Sequence, residues 1–465
     1  MSAPLIWTIA PIFISIFLLF FRKHYFLICL VQIVSCMLIL ISAAAARFVV
    51  TGSSSFLNFQ ISPEMNILGR SLIITSGLKS IVILFYVALG IWSIVIYIFK
   101  IKSNIVPFGL AFIGLLIAAL AVEPFLYSAL ILEIAVIISI PIVAHAANSR
   151  IKGVSRYLIY FTIGMPFVLL AGWYLAGGEI TPVNDEQLIQ AALLLGLGFV
   201  FWLAVFPFQS WVPLLADETE PNEGFFILTL LPIAVASLLM KYLNGFAWLR
   251  GYDTVFQALR IFGLIMIVIG SIWFSLQKKL RKAIGYLILV SSGLMIISIS
   301  LNTSNGYTFS TYFMLLRVIC FFVISWTLFF MEKVTDIFFV ESLKGLFSKA
   351  PLLVMGFFIP LFSLIGMPFT LGFPVMQSLF SEFSVYIPRF NSFLIFSQII
   401  LSITLIRWVF ISIEIDDDQT PNNLGLPMDI FLISCIFGLV LFALFPNLVY
   451  PQIGEFVNNL RFLIK

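Results

Sequence analysis

The chain consists mainly of long apolar runs separated by short polar segments. We place fourteen spans near residues 4–21, 24–46, 72–99, 104–122, 124–147, 157–176, 187–207, 223–243, 256–276, 283–301, 308–331, 350–387, 391–413 and 428–450. The runs are apolar on all sides and do not alternate, which favours membrane-spanning helices over the strands of a membrane barrel. About 20 apolar residues cross a hydrocarbon core of roughly 30 Å. The pattern predicts an all-α polytopic membrane protein with about fourteen transmembrane helices.

The composition excludes the soluble protein classes. Of the 465 residues, 62% are hydrophobic and only 10% are charged, and the mean hydropathy is +1.15. Soluble domains are about one quarter charged, so this chain cannot build a surface that faces water on all sides. Its 25 Lys and Arg against 21 Asp and Glu give a balance too weak to indicate nucleic-acid binding.

Residues that commonly hold redox cofactors are scarce. The two histidines, His24 and His145, are too few for several bis-histidine haems, and no run resembles an iron–sulfur ligand set. Four cysteines lie in apolar runs without C-x-x-C spacing: Cys29, Cys36, Cys320 and Cys435. We expect four buried, reduced thiols, no metal site, no cofactor and no redox chemistry in this chain.

Basic residues are unevenly divided between the loops of the two sides. When successive loops between the fourteen spans are assigned to opposite sides of the membrane, one side has 14 Lys and Arg residues and the other has 8. The positive-inside rule makes the richer side cytoplasmic and places both termini on the non-cytoplasmic side. The sequence therefore predicts a multi-pass membrane protein.

Proline interrupts two of the predicted spans. The stretch 350–387 would be roughly 57 Å long as one helix, about twice the hydrocarbon core. We expect a break within 366–374, where Pro368 and Gly372 lie, and a second break near Pro207 in the seventh span. Two interrupted segments about 160 residues apart indicate internal repeats in a transporter. Two kinked helices without symmetry are the alternative.

Three ionisable residues lie within the apolar runs. Glu133 lies about 14 Å into the bilayer, where a carboxylate costs roughly 3 kcal/mol. It is either part of a proton or ion path, in a charged and hydrated cluster, or a protonated group that joins two helices. Arg317 keeps its charge, so it needs a partner or a wet cavity and could tune a neighbouring carboxylate. Lys241 lies near the outer end of its span, where we expect its stem to extend to the headgroups.

Four stretches carry a resemblance to a known family. FPFQSWVPLLADETEP at 206–221 resembles the P-[FL]-H-x-W-L-P-D-A-H segment of the antiporter-like subunits. Those subunits occur in proton-pumping NADH:quinone oxidoreductase (complex I), membrane-bound hydrogenases and multi-subunit Na⁺/H⁺ antiporters. The stretches at 153–164, 275–295 and 363–373 are similar, in the same order, to the openings of family helices 6 and 10 and to broken helix 12. The resemblance implies two inverted five-helix repeats with broken helices 7 and 12. It also implies a bacterial cytoplasmic membrane or an organellar inner membrane as the location.

The family moves protons along buried ionisable residues, and the resemblance assigns those positions. Its helix-5 glutamate matches Glu133, and its helix-11 lysine matches Arg317. The lysine of broken helix 7 falls on Trp202, and the lysine or glutamate of broken helix 12 falls on Met376. Its helix-8 lysine falls about two turns before Lys241. Neither Trp nor Met can titrate, so a full lysine relay is not visible.

The resemblance also implies a division of the chain. Residues 1–103 would hold helices 1–3, residues 104–250 the first repeat, residues 251–413 the second repeat, and residues 414–465 the last helix and the C-terminus.

Two functional hypotheses follow. The first is an antiporter-like membrane-arm subunit of a quinone-reducing, proton-translocating complex of the NADH:quinone oxidoreductase type, which passes protons or cations through Glu133 with Arg317 as its electrostatic partner. The second is a non-pumping structural subunit that docks neighbouring subunits in the bilayer. A free-standing secondary transporter is a third and weaker alternative.

Overall fold

The computed structural model describes residues 2–45, 47–48, 60–67, 69–144, 152–176, 185–335, 337–414, 425–448 and 457. The two chain ends and His145 lie outside the described residues, so the predicted sidedness of the termini stays a prediction.

The described residues form eighteen α-helices in a single bundle. The first follows a π-helical turn at Leu5–Ile9. The helices are α1 (Ala10–Phe20), α2 (Tyr25–Ala45), α3 (Ser76–Ile98), α4 (Ile105–Ala121), α5 (Ser128–Val143), α6 (Lys152–Ala176), α7 (Asp185–Trp202), α8 (Trp211–Glu218), α9 (Pro221–Gly245), α10 (Ala247–Gly251), α11 (Asp253–Leu276), α12 (Leu280–Ile299), α13 (Ser304–Thr335), α14 (Leu346–Lys349), α15 (Pro351–Ile365), α16 (Phe373–Tyr386), α17 (Pro388–Ile413) and α18 (Leu426–Leu444).

The length and apolarity of these helices make the chain a multi-pass membrane protein. Among the described residues, ten helices are long and apolar enough to cross a membrane, or eleven if one strongly bent pair forms a single span. Every predicted span overlaps at least one helix. Helices α1, α4 and α7 are apolar but shorter, so the count of fourteen spans remains a prediction.

Both predicted helix breaks are confirmed. Helix α7 ends at Trp202 and α8 begins at Trp211, with Pro207 between them. Helix α15 ends at Ile365 and α16 begins at Phe373, so the break at 366–372 contains Pro368 and Gly372. The backbone turns out of the helical conformation at Ala204 and Gly366, which have positive φ angles, and the proline that follows each of them cannot donate a hydrogen bond to resume the helix.

Short strands add to the helical fold that the sequence predicts. Strand β1 (Arg47–Phe48) pairs in parallel with β2 (Gln60–Ile61). Strands β3 (Glu64–Ile67), β4 (Arg70–Ile73) and β5 (Val122–Glu123) form an antiparallel sheet. Strands of two to four residues are too short to show a period of two in the sequence. This sheet lies at the C-terminal end of α4, which leads directly into β5.

Four helices form the centre of the bundle. Every residue of α4 except Phe108 is buried. The most apolar window of α9 is entirely buried, and the corresponding windows of α12 and α13 are 89% buried. The same window is only 22% buried in α6 and 17% in α18, so these helices lie at the periphery. Side chains on α9, α12 and α13 are therefore shielded from lipid.

Candidate functional site

Arg317 lies on α13 at the centre of the bundle and is fully buried. Its Nη2 donates to the carbonyl oxygen of Leu228 at 2.6 Å, and its Nε donates to the carbonyl oxygen of Thr229 at 3.2 Å. Both acceptors are on α9. On α12, Nη1 donates to the Oγ atoms of Ser291 at 2.5 Å and Ser292 at 3.0 Å. Arg317 therefore joins three of the central helices, α9, α12 and α13.

Pro232 explains why α9 can accept these hydrogen bonds. In a regular helix the carbonyl of residue 228 accepts from the backbone N–H of residue 232, and proline has none. Pro232 lies inside α9, so the carbonyl of Leu228 needs another donor, which Arg317 supplies.

The partners of Arg317 differ from the expected carboxylate. None of the ion pairs among the described residues includes Arg317, whose partners are carbonyls, hydroxyls and the ring of Phe321 at 5.5 Å. A guanidinium has five N–H donors, and neutral acceptors can hold it without a counter-ion when they are close and well placed. The expectation that Arg317 pairs with Glu133 is therefore not met in this structure.

Glu133 lies on the outer side of α5, against α6. Its Oε1 accepts from the hydroxyl of Thr162 at 2.6 Å, and its Oε2 is a buried atom without a hydrogen-bond partner in the described residues. Along the same side of α5, Ile134 is 47% exposed and Ile137 is 50% exposed. Glu133 thus has a polar neighbour at the edge of the bundle, and the charged cluster that the sequence predicts around it is not formed by the described contacts.

Trp202 occupies the first of the two positions in the broken helices at which the family has a titratable residue and this chain does not. It is buried, its Nε1 donates to the carbonyl oxygen of Phe161 at 3.2 Å, and its ring stacks on that of Phe161 at 6.3 Å between centroids. On another side the indole lies against Gly164, where an added Cβ would be 2.5 Å from Nε1. Aromatic packing fills the volume that water would need at this position.

Met376 occupies the second substituted lysine position, at the start of α16. It is buried beside the break, and the adjoining cavity of about 10 Å³ has room for one water molecule at most. Gln398 lines the same cavity, and its Nε2 donates to the carbonyl oxygen of Ile365 at 3.2 Å and to that of Gly366 at 3.4 Å. A glutamine on α17 therefore satisfies carbonyls at the end of α15.

Lys241 on α9 turns into the bundle. Its Nζ donates to the carbonyl oxygen of Leu120 at 2.7 Å and lies 4.4 Å from the ring centroid of Phe125. Leu120 is in the last turn of α4, where carbonyls lack intrahelical donors and where the negative end of the helix dipole lies. The expected extension of this side chain to the headgroups is therefore incorrect, because α4 offers the ammonium a closer set of acceptors.

A group of charged residues that the sequence did not indicate lies at the opposite end of α9. Glu223 is buried and accepts from the Oγ of Ser103 at 2.7 Å and from the backbone N–H of Asn104 at 3.0 Å. Arg281 forms a two-pronged ion pair with Glu332, which is also buried. Both carboxylates lie at the end of an apolar helix. From the sequence alone, a buried carboxylate at such a position cannot be distinguished from an exposed one that caps the helix.

No metal centre is apparent among the residues that the structure describes, since no three His, Cys, Asp or Glu side chains are grouped there. Cys29, Cys36 and Cys320 are buried free thiols, and Cys435 is half-buried and also free.

Comparison with known proteins places this geometry in a family. The family model described as "NADH:quinone oxidoreductase/Mrp antiporter, TM" matches residues 81–402. NADH-quinone oxidoreductase subunit N 2 of Syntrophobacter fumaroxidans is 25% identical over 232 residues, 48% of this chain and 49% of the relative. NADH-quinone oxidoreductase subunit 14 of Thermus thermophilus is 27% identical over 252 residues, 51% of this chain and 54% of the relative. The chain thus matches about half the length of these curated relatives.

Solved structures share the whole fold. A chain of respiratory complex I from Thermus thermophilus superposes with a TM-score of 0.79 at 14% identity, covering 100% of both chains. A chain of the archaeal membrane-bound sulfane sulfur reductase gives 0.80 at 14% identity, covering 99% of this chain and 98% of that one. The family model covers well over half of the sequence, and both broken helices are present. The chain therefore belongs to the NADH:quinone oxidoreductase/Mrp antiporter family of membrane subunits.

Proposed function

We propose that this chain is an antiporter-like membrane-arm subunit of a multi-subunit, quinone-reducing complex, and that it contributes to proton translocation by a route that does not use a row of lysines. Its family and its full-length similarity to subunits of complex I and of the Mrp complex of Dietzia support this proposal. Neighbouring membrane subunits, the lipid bilayer and transported protons or cations are the partners it implies.

The observation that carries the proposal is the unsatisfied oxygen of Glu133. A buried polar atom without a hydrogen bond costs about 1–3 kcal/mol. A proton on Oε2, or a donor from a neighbouring chain or water, removes that cost. A carboxyl group with one oxygen fixed by Thr162 and the other in need of a proton suits a transport path.

Two positions where the family has a titratable residue carry residues that cannot titrate in this chain, and this is where the proposed route differs from a row of lysines. Trp202 and Met376 are buried and cannot carry protons. Glu133 and Lys241 remain as ionisable groups with polar contacts among the helices of the predicted first repeat. Arg317 supplies a fixed positive charge between the two predicted repeats.

The proposal includes the internal symmetry that the sequence indicates, with residues 104–250 and 251–413 as inverted repeats. Supporting it, corresponding helices make corresponding contacts. Helices α4–α5, α5–α6, α6–α7 and α4–α9 pack together in the first half, as α11–α12, α12–α13, α13–α15 and α11–α17 do in the second. Each half also contains one broken helix.

A non-pumping docking subunit is the second candidate. The exposed face around Glu133 is apolar, since it includes Ile134 at 47% and Ile137 at 50% exposure on α5, and Ile163, next to Thr162, at 40%. Such a face fits lipid or a partner subunit equally well in the absence of a charge. The carboxylate of Glu133 on it favours a partner with a donor.

Glu133→Gln tests the two candidates. The variant is made in the native complex, and the number of protons translocated per electron is measured in membrane vesicles. We expect a lower ratio with normal assembly. Glu341→Gln is the matched control, because Glu341 is 82% exposed and its ion pair with Lys278 spans 3.8 Å. An unchanged ratio in Glu133→Gln, with electron transfer intact, would instead support the docking role.

A further inference from the structure

A polar cavity lies between α3, α4, α9 and the β3–β4–β5 sheet. Its volume is about 150 Å³, which is room for several water molecules. Apolar side chains from α3 and α4 form part of its wall, and five polar residues line the rest: Thr75, Glu123, Ser237, Lys241 and Asn244. The sheet contributes Glu123 and Ile73, so the strands cover one side of the cavity.

The ammonium of Lys241 is suited to a wet environment. An ammonium has three donors, and the carbonyl of Leu120 takes one of them at 2.7 Å. A dry cavity around the remaining donors of a charged group would be costly. Water in the cavity can satisfy them, because the other lining groups include a carboxylate, two hydroxyls and an amide.

Glu123 forms the boundary between this cavity and the surface. Its strand pairs with β4, with Glu123 opposite Ser71. Both residues also line an open surface pocket of about 610 Å³, together with Asn66, Gly69 and Pro124. Glu123 thus lines both the inner cavity and the outer pocket, so its side chain lies between the surface and the cavity that contains Lys241.

The inner end of the cavity leads towards a fixed charge. Ser237, one turn before Lys241 on α9, lines the cavity, and its Oγ lies 3.8 Å from the sulfur of Met314 on α13. Arg317 is about one helical turn beyond Met314. A permanent cation there opposes the passage of protons or metal cations deeper into the bundle.

We propose that this cavity is a water-filled half-channel that opens to the side predicted to be non-cytoplasmic, with Lys241 as its proton-exchanging group and Glu123 at its mouth. The hydration of the cavity is inferred from its geometry alone. The role of the cavity in proton transfer rests on the proposed function. Lys241 exchanges protons with the outer solvent, and the charge of Arg317 closes the inner end.

Thiol labelling tests the hydration and the direction of opening. Ser237→Cys is made in the complete complex, and a membrane-impermeant cationic methanethiosulfonate is applied to right-side-out or inverted vesicles. A cysteine reacts as a thiolate, so it reacts rapidly only where water reaches it. We expect labelling from the non-cytoplasmic side at least tenfold faster than that of Ala234→Cys, a control on the same helix that is as deeply buried as Ser237 but does not line the cavity.

Equal labelling of the two variants, or labelling of Ser237→Cys only from the cytoplasmic side, would overturn the proposal. Labelling of the unsubstituted chain measures the background reaction of its four native thiols. If Ser237→Cys does not assemble, Leu78→Cys gives the same measurement from α3, because Leu78 also lines the cavity and is buried. In assembled complexes Lys241→Met should also lower the proton yield per electron at least twofold. The two proposals can fail independently. If only the proposed function is wrong, Glu133→Gln leaves the proton yield unchanged while Ser237→Cys is still labelled.

Discussion

Pro232 leaves free the backbone carbonyl that Arg317 binds. The proline is inside α9, the arginine is on α13, and the carbonyl of Leu228 lies 2.6 Å from Nη2. Two features that would each destabilise an apolar core, a proline in a helix and a buried charge, satisfy each other here. This contact fixes the helices on both sides of the predicted repeat boundary.

The Pro232–Arg317 relationship predicts a coupled mutational effect. Arg317→Met should lower the stability of the purified protein by about 1–3 kcal/mol for each acceptor left unpaired, foremost the Leu228 carbonyl. Adding Pro232→Ala restores a backbone N–H for that carbonyl. We expect Pro232→Ala to raise the melting temperature more in the Arg317→Met background than in the wild type. Strictly additive melting temperatures would contradict this coupling.

Lysines at the two substituted positions should not be tolerated. Trp202→Lys with Met376→Lys places two ammonium groups at buried positions filled by packing, at a cost of several kcal/mol each. We expect the double variant to fail to assemble, as measured by the amount of chain recovered in the purified complex. Trp202→Phe with Met376→Leu is the control and should assemble. Normal assembly of the double lysine variant, with protons translocated, would mean that a wet path persists.

Gly164 and Trp202 should behave as a coupled pair. A Cβ at position 164 would lie 2.5 Å from the indole Nε1 and 2.7 Å from its Cδ1. The indole is held between Phe161 and Phe199, so it cannot move away easily. Gly164→Ala should destabilise the protein by about 1–3 kcal/mol, the usual cost of overpacking.

Trp202→Leu should relieve most of that loss when combined with Gly164→Ala. The measurement is the melting temperature of each single variant and of the pair. A loss in Gly164→Ala that the smaller residue at 202 leaves unchanged would assign the effect to helix α6 itself.

Gly372 should be required for the second helix break. A Cβ there would lie 1.9 Å from the carbonyl oxygen of Ser363, a backbone atom that cannot shift without moving the end of α15. Gly372→Ala should therefore reduce thermal stability and the yield of assembled protein. Gly438→Ala is the matched control, since its Cβ would meet nothing within 4 Å and alanine favours a helix by about 1 kcal/mol. Equal stability of the two variants would argue against a close approach at Gly372.

The sequence by itself determined the membrane class of the protein and the regions of the two helix breaks. Apolar runs of membrane length can be satisfied only as spanning helices, and proline removes a backbone donor wherever it occurs. These effects are local to the chain, which is why the breaks at Pro207 and at Pro368 could be predicted from residue type and spacing. The resemblance of four ordered stretches was equally readable, and the family match confirms it.

Only the tertiary structure decided the partners of the charged residues. Arg317 binds a carbonyl that is free because of a proline 85 residues earlier, Lys241 turns to the end of α4, and Glu133 lies at the edge of the bundle. A buried charge is stabilised by whichever acceptors the packing brings within about 3 Å, and these lie far apart in sequence. Spacing along one helix gives the depth of a charged side chain, whereas the neighbouring helices determine what it can bind.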